Sequence, residues 1–160
     1  MPQQVDLIQL SKQPGMRILE IGFNAGHSAE IFLKNNPTAT ITSLDIGYHN
    51  YVLAAKEFID LTYPGRHTLI IGDSRNSVLQ YEGAKFDLIF IDGGHAYEIA
   101  QADLKNCFRL AHEDTIIAMD DTMMTKEWEV GHTIGPTRTW LEHIQENKFR
   151  RIENKNYITI

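Results

Sequence analysis

The chain is expected to fold as a single α/β domain, with a mostly parallel sheet and helices on both faces. Three observations predict this. Apolar runs such as "MRILEIG" and "FDLIFID" lack the in–out alternation of a strand wetted on one side, so they belong to a sheet buried on both faces. Stretches of helical period separate these runs, the pattern of strand–helix–strand units. The 160 residues are enough for one substantial core, and no repeat, low-complexity run or linker divides them.

Taken in order, "MRILEIG" (16–22) reads as a strand and 26–35 as a helix with Ala29, Phe32 and Leu33 on one face. "TITSLDI" (40–46) is a second strand. The helix after it carries Tyr51, Ala55, Phe58 and Ile59 and stops before Pro64-Gly65. "HTLIIGD" (67–73) is a third strand, followed by a short helix through Ser77 and Leu79. The fourth strand covers 86–92, and a helix from about 97 to 110 displays Ile99, Leu104 and Phe108. A fifth strand spans 115–120, a helix follows over about 136–147, and "FRRIENKNYITI" closes as two short strands around Asn154-Lys155-Asn156.

Bulk properties exclude some functions. Fifteen basic against 21 acidic residues give −6, which argues against a nucleic-acid backbone as the main partner. The opening "MPQQVDLIQLSKQPG", a lead-in of 15 residues, has neither the apolar run of a membrane span nor the basic start of a signal peptide. Cys107, the single cysteine, permits no intrachain disulfide, fits a reducing cytoplasm and reads as a small core residue.

In open parallel sheets a ligand sits beyond the carboxyl ends of the strands, where strand order reverses. The first strand ends "LEIGFNAGHS", an E-x-G-x-x-x-G turn rather than the G-x-G-x-x-G of a dinucleotide site. Gly22 and Gly26 permit a tight turn and close approach of a ligand. Asn24 lies between them, and the helix start at His27-Ser28 offers free N–H groups. Glu20 beside the turn would repel a pyrophosphate but suits a cationic group. Asp45, at the end of the second strand, can accept both hydroxyls of a ribose. Asp73, next to Ser74 at the end of the third, can take an adenine amino group. Either acid could instead cap the helix that follows.

The ordered set "LEIGFNAGHS", "SLDIG", "IGDS", "FDLIFIDGGHAYE" and "AMDD" resembles the class I S-adenosylmethionine-dependent methyltransferases over about residues 14–147. Its later part is similar to the metal-dependent branch containing sugar-tailoring and catechol-type O-methyltransferases. The resemblance implies a Rossmann-like, seven-stranded sheet of order 3-2-1-4-5-7-6 with the last-entered strand antiparallel. It implies that Glu20, Gly22 and Gly26 surround the methionine part of S-adenosylmethionine, Asp45 the ribose and Asp73 the adenine.

In that strand order the fourth and fifth strands are neighbours about 4.8 Å apart, so Asp92 and Asp120 should converge. A turn would bring Asp121 round to join them. Three close carboxylates need a cation or a proton among them, and oxygen donors suit Mg²⁺ or Ca²⁺. The resemblance places metal ligands at Asp92, Asp120 and Asp121, and the acid at 121 leans toward the sugar-modifying branch rather than the catechol type, which has asparagine there. His95 matches the general base of that branch. The alternative is that Asp121 caps the next turn, Asp92 only receives hydrogen bonds and His95 bonds nearby backbone. The connection 122–135 is read as a lid, with Met123, Met124 and Trp128 over the site.

The expected activity is therefore methyl transfer to an oxygen of a small hydroxylated acceptor. A site left open by so short a lead-in could be completed by a partner subunit in a homo-oligomer. Competing readings are a scaffold that keeps the fold without turnover and a metal-independent methyltransferase. A nicotinamide oxidoreductase conflicts with Glu20 and the missing third glycine.

Overall fold

The computed structural model describes residues 2–123, 131–145, 150–151 and 157–159. Five strands run parallel: β1 (Arg17–Ile21), β2 (Thr40–Asp45), β3 (His67–Ile71), β4 (Phe86–Ile91) and β5 (Ala111–Met119). Two short strands, β6 (Arg150–Arg151) and β7 (Tyr157–Thr159), extend the sheet beyond β5. Its order is β3-β2-β1-β4-β5-β7-β6, with β7 antiparallel to both neighbours. Order reverses between β1 and β4, so a crevice opens over their carboxyl ends.

Among the described residues, six helices cover the sheet: α1 (Pro2–Leu10), α2 (His27–Asn35), α3 (Val52–Thr62), α4 (Ser74–Gln80), α5 (Tyr97–Cys107) and α6 (Ile134–Gln145). Successive strand residues point to opposite faces. Ile18, Leu88 and Phe90 therefore pack with Leu7 of α1, Phe32 of α2 and Ile59 of α3. Leu19, Ile89 and Ile91 pack with Val78 of α4, Leu104 and Cys107 of α5 and Trp140 of α6. A strand buried on both faces needs apolar residues at every position, which is why these runs do not alternate. Each large side chain so buried contributes about 1.5–3 kcal/mol.

Several elements differ from the sequence-based expectation. The lead-in contains a nine-residue helix, α1, whose Leu7 is 5% exposed. In α3 the buried residues are Val52 and Ile59, while Tyr51, just before the helix, and Phe58 face solvent. In α4 it is Val78 rather than Leu79 that turns inward. Strand β5 begins four residues before the expected 115, at Ala111. Its polar start "HEDT" masked it, because the register shifts between the Phe86–Ala111 and Leu88–Ile116 pairs. Buried Thr115 holds that irregularity, donating to the Phe86 carbonyl (2.6 Å) and accepting from the His112 N–H (2.7 Å). Helix α6 starts two residues early, at Ile134.

Beyond each strand end the backbone makes one further bond to the neighbouring strand: Gly72 N–H to Asp45 O, Gly22 to Leu44, Asp92 to Ile21 and Asp120 to Ile91, each 2.8 Å. The residues read as functional thus sit in one rank across the sheet edge.

Candidate active site

The β1–α2 turn requires left-handed backbone at Gly22 (φ 95°), Asn24 (φ 48°) and Gly26 (φ 77°). A Cβ on Gly22 would lie 1.9 Å from the Asp92 carbonyl oxygen, so only glycine fits. Gly26 caps α2 without a side-chain bond. The first helical N–H groups, at exposed His27 and half-buried Ser28, therefore point to the crevice without intrahelical partners. Asp45 ties this turn to the next one, accepting from the Asn24 N–H (2.8 Å) and the Gly47 N–H (2.7 Å). Tyr51 donates to Asn24 Oδ1 at 2.6 Å.

Two of the acids have protein partners of their own. Glu20 is 0% exposed. One carboxylate oxygen is bonded by the Ser28 hydroxyl and the other by that of Ser43, at 2.5 Å. Burial above all, with the charges of Asp92 and Asp45 adding to it and the two hydroxyls opposing it, pushes its pKa up to about 7. Asp73, expected at the adenine, has both oxygens on the Arg75 guanidinium and caps α4 through the Arg75 N–H (3.0 Å). The Arg75 hydrogen bond holds its carboxyl below the usual range. Asp73 thus does cap the helix that follows it. Ser74, half-buried, opens α4, and its hydroxyl partly offsets the burial that raises Asp103 to about 6.

The acid corner gathers as its strands require. Ile91 pairs with Met119, so Asp92 and Asp120 follow on adjacent strands. Asp121 takes φ 54°, a conformation Asp tolerates better than most residues, and its N–H bonds Asp120 Oδ1 at 2.8 Å. This turn brings its carboxylate round: Oδ2 lies 2.8 Å from His95 Nε2 and Oδ1 lies 3.3 Å from His132 Nε2. Donor atoms of Asp92, His95 and Asp121 all fall within 4.8 Å of one another. Burial first, and then the charges of Asp120 and Asp121, raise Asp92 to about 7. Asp92 and Asp120 line a cavity of about 540 Å³ with Leu7, His27, Ser28 and Phe90.

His132 was missed because it lay inside the stretch read as a lid. The described part of that stretch is anchored: the Met123 N–H bonds Thr137 Oγ1 (2.9 Å), and Gly131–Thr133 form a 3₁₀ turn leading into α6. Met124 and Trp128 lie outside the described residues. Trp140 is a core residue, 1% exposed. Cys107 is buried and its thiol is pushed well above the ordinary range by that burial.

A parallel α/β sheet with a glycine-braced turn at its switch point and acids beyond its strand ends defines the architecture of S-adenosylmethionine-dependent methyltransferases. The model of the methyltransferase-domain family matches residues 19–122, and the chain belongs to that family. It is an S-adenosylmethionine-dependent methyltransferase. No curated protein matches it. Among solved structures, a Podospora anserina methyltransferase with bound S-adenosylhomocysteine is similar over 98% of this chain and 76% of its own, at 22% identity and TM-score 0.74. A Bacillus cereus O-methyltransferase, also in complex with S-adenosylhomocysteine, is similar over 99% and 81%, at 18% identity and TM-score 0.72. The TDP-rhamnose 3'-O-methyltransferase of calicheamicin biosynthesis is similar over 99% and 77%, at 18% identity and TM-score 0.71. Among the described residues, no helix is long and apolar enough to cross a membrane.

Proposed function

We propose that the chain methylates an oxygen of a small hydroxylated acceptor with the help of a divalent cation. The observation that carries this reading is the convergence of Asp92, His95 and Asp121 at the end of the crevice. The turn through Gly22, Asn24, Gly26, His27 and Ser28 would cradle the methionine part of the cofactor, Asp45 the ribose, and the Asp73–Ser74 loop would border the adenine. Asp92, Asp120 and Asp121 would hold Mg²⁺ or Ca²⁺, since carboxylate oxygens are the donors such hard ions take. A bound ion would orient neighbouring hydroxyls and lower the pKa of one.

His95 supplies the base. Asp121 holds its Nε2 at 2.8 Å, which fixes the ring and leaves Nδ1 to take the acceptor's proton as the methyl leaves sulfur. Ligands in the neighbouring folds support the cofactor, and the rhamnose enzyme supports a sugar hydroxyl as acceptor.

The test is a screen of sugars and catechols with S-adenosylmethionine, run with Mg²⁺ or Ca²⁺ and again in excess chelator. Turnover that stops in chelator and returns with the ion is the expected result. Full activity in chelator would remove the ion and leave a metal-independent enzyme. Cofactor binding without turnover on any acceptor would favour the scaffold reading.

A further inference from the structure

The fold holds one titratable chain that the proposed chemistry does not use. Glu20 of β1 bonds Ser43 of β2, and Ser43 Oγ lies 2.9 Å from His67 Nε2 of β3. Glu20 and Ser43 are 0% exposed and His67 is 7% exposed. This line of side chains runs beneath the cofactor turn and is braced to it. The His67 ring stacks on Phe23 with centroids 4.8 Å apart, and the Phe23 ring edge is 3.0 Å from where a Cβ of Gly26 would be.

We infer that Glu20, with Ser43 and His67 behind it, reads the positive charge of the cofactor's methionine end and releases a proton as that charge arrives. The inference rests on the reading that places this end of the cofactor on the 22–28 turn.

The groups around Glu20 explain why its proton is so finely balanced. From α2 comes the Ser28 hydroxyl, and from β2 come Ser43 and the charge of Asp45. From β4 come Phe90, its register partner, and the charge of Asp92. From β3 comes His67, with Lys56 and Asp60 of α3 acting on it from behind. Among the described residues, the charges that act on Glu20 are those of the acids Asp92 and Asp45. Burial therefore favours the neutral carboxyl.

The hydrogen bonds favour the opposite state. Ser43 donates to Glu20, so it must accept from His67 Nε2–H, which leaves His67 Nδ1 unprotonated and without a hydrogen-bond partner. This matches a histidine kept neutral by burial, its pKa lowered to about 4. Protonating Glu20 would reverse one serine. If that serine is Ser43, the His67 proton must move to Nδ1, where it meets nothing. These opposed preferences make a carboxyl that a nearby cation can tip. An ammonium or sulfonium over the turn would favour the carboxylate, and the displaced proton would pass to solvent.

Titration calorimetry on the full chain in chelator tests this, at about pH 6–7.5 and in two buffers of different ionisation heat. The probes are S-adenosylmethionine, S-adenosylhomocysteine and 5'-methylthioadenosine, a nucleoside thioether with neither ammonium nor sulfonium. Binding of S-adenosylmethionine should release roughly half a proton near pH 7, and its affinity should climb toward that pH by up to about tenfold per unit. The affinity of 5'-methylthioadenosine should stay flat. Glu20→Gln should keep 5'-methylthioadenosine affinity while losing both the proton release and about tenfold or more in S-adenosylmethionine affinity. His67→Phe, which keeps the stack on Phe23, should move the midpoint of release upward. Equal proton counts for the charged and uncharged probes would overturn the inference while leaving the cofactor site standing. If none of the probes binds, the cofactor reading falls and the inference with it. Should Glu20→Gln not fold, the wild-type proton counts decide alone.

Discussion

The two ends of the crevice are both lined with acids at strand ends, and they are built differently. On the β2–β1 side each acid has partners that neutralise or satisfy it: two hydroxyls on Glu20, two backbone N–H groups on Asp45 and a guanidinium on Asp73. On the β4–β5 side the acids face one another, Asp92 against Asp120 and Asp121, and among the described residues His95 and His132 lie against Asp121. In the first arrangement the raised acid, Glu20, is buried and held by hydroxyls rather than set against other carboxylates. The second raises the pKa of its central acid and becomes comfortable when a cation or proton enters. The same residue type at the same place in a strand therefore does opposite work, according to what its neighbours donate.

The largest expected effect comes from breaking the contact between the two ends. Gly22→Ala should abolish both cofactor binding and turnover, since its Cβ would overlap the Asp92 carbonyl and the φ of 95° is strained for alanine. A fold intact by circular dichroism with cofactor binding preserved would show that the ends tolerate separation. His95→Ala separates them chemically. Methyl transfer should fall by roughly 10²–10⁴ while calorimetric cofactor affinity stays within about twofold of wild type.

Next in size is the pH dependence of stability. Asp92 and Glu20 are raised from 3.8 and 4.5 to about 7. The folded chain therefore holds protons that the unfolded chain has lost, and stability falls as pH rises through about 7. His67, lowered from 6.5 to about 4, has the opposite slope below 6.5 and adds nothing between 6.5 and 7. The melting temperature should drop by several degrees between about pH 5 and 8. Asp92→Asn should flatten part of that fall. A melting temperature level across the range would mean that the acid corner carries no such strain.

The smallest effect sharpens the contrast within the cofactor side. Asp45→Ala should weaken S-adenosylmethionine by about 1.5–3 kcal/mol for each charge-assisted hydrogen bond lost. Asp73→Ala should instead lower the melting temperature through the lost cap, with little change in cofactor affinity. If Asp73→Ala weakens the cofactor as strongly as Asp45→Ala, its carboxylate serves the ligand as well as the helix.

Much of this was legible in the sequence, for reasons that differ by residue. Strands buried on both faces announce themselves by unbroken apolar runs, so β1 through β4 stand close to where the sequence puts them. Asp92 and Asp120 were readable because strand register alone brings consecutive strand ends together. Asp121 needed a left-handed turn, which aspartate permits without advertising it. The serine partners of Glu20 and the arginine partner of Asp73 were not readable, because an acid at a strand end looks the same whatever it meets. Ser43 and His67 lie inside β2 and β3, where only tertiary pairing makes them neighbours of Glu20. The polar start of β5 and the amphipathic α1 carried too weak an apolar signal to be distinguished from loop.

The rank of 2.8 Å backbone bonds joining Gly72, Gly22, Asp92 and Asp120 to the strands beside them has a consequence for how such a chain can change. Those bonds use only main-chain atoms, so the line on which the side chains stand is independent of what they are. Residues such as Asp120 can be exchanged along that line with little movement of the scaffold. Gly22 is the exception, being fixed by the space it leaves. A protein built this way can acquire a new acceptor by single steps, keeping its methyl donor throughout.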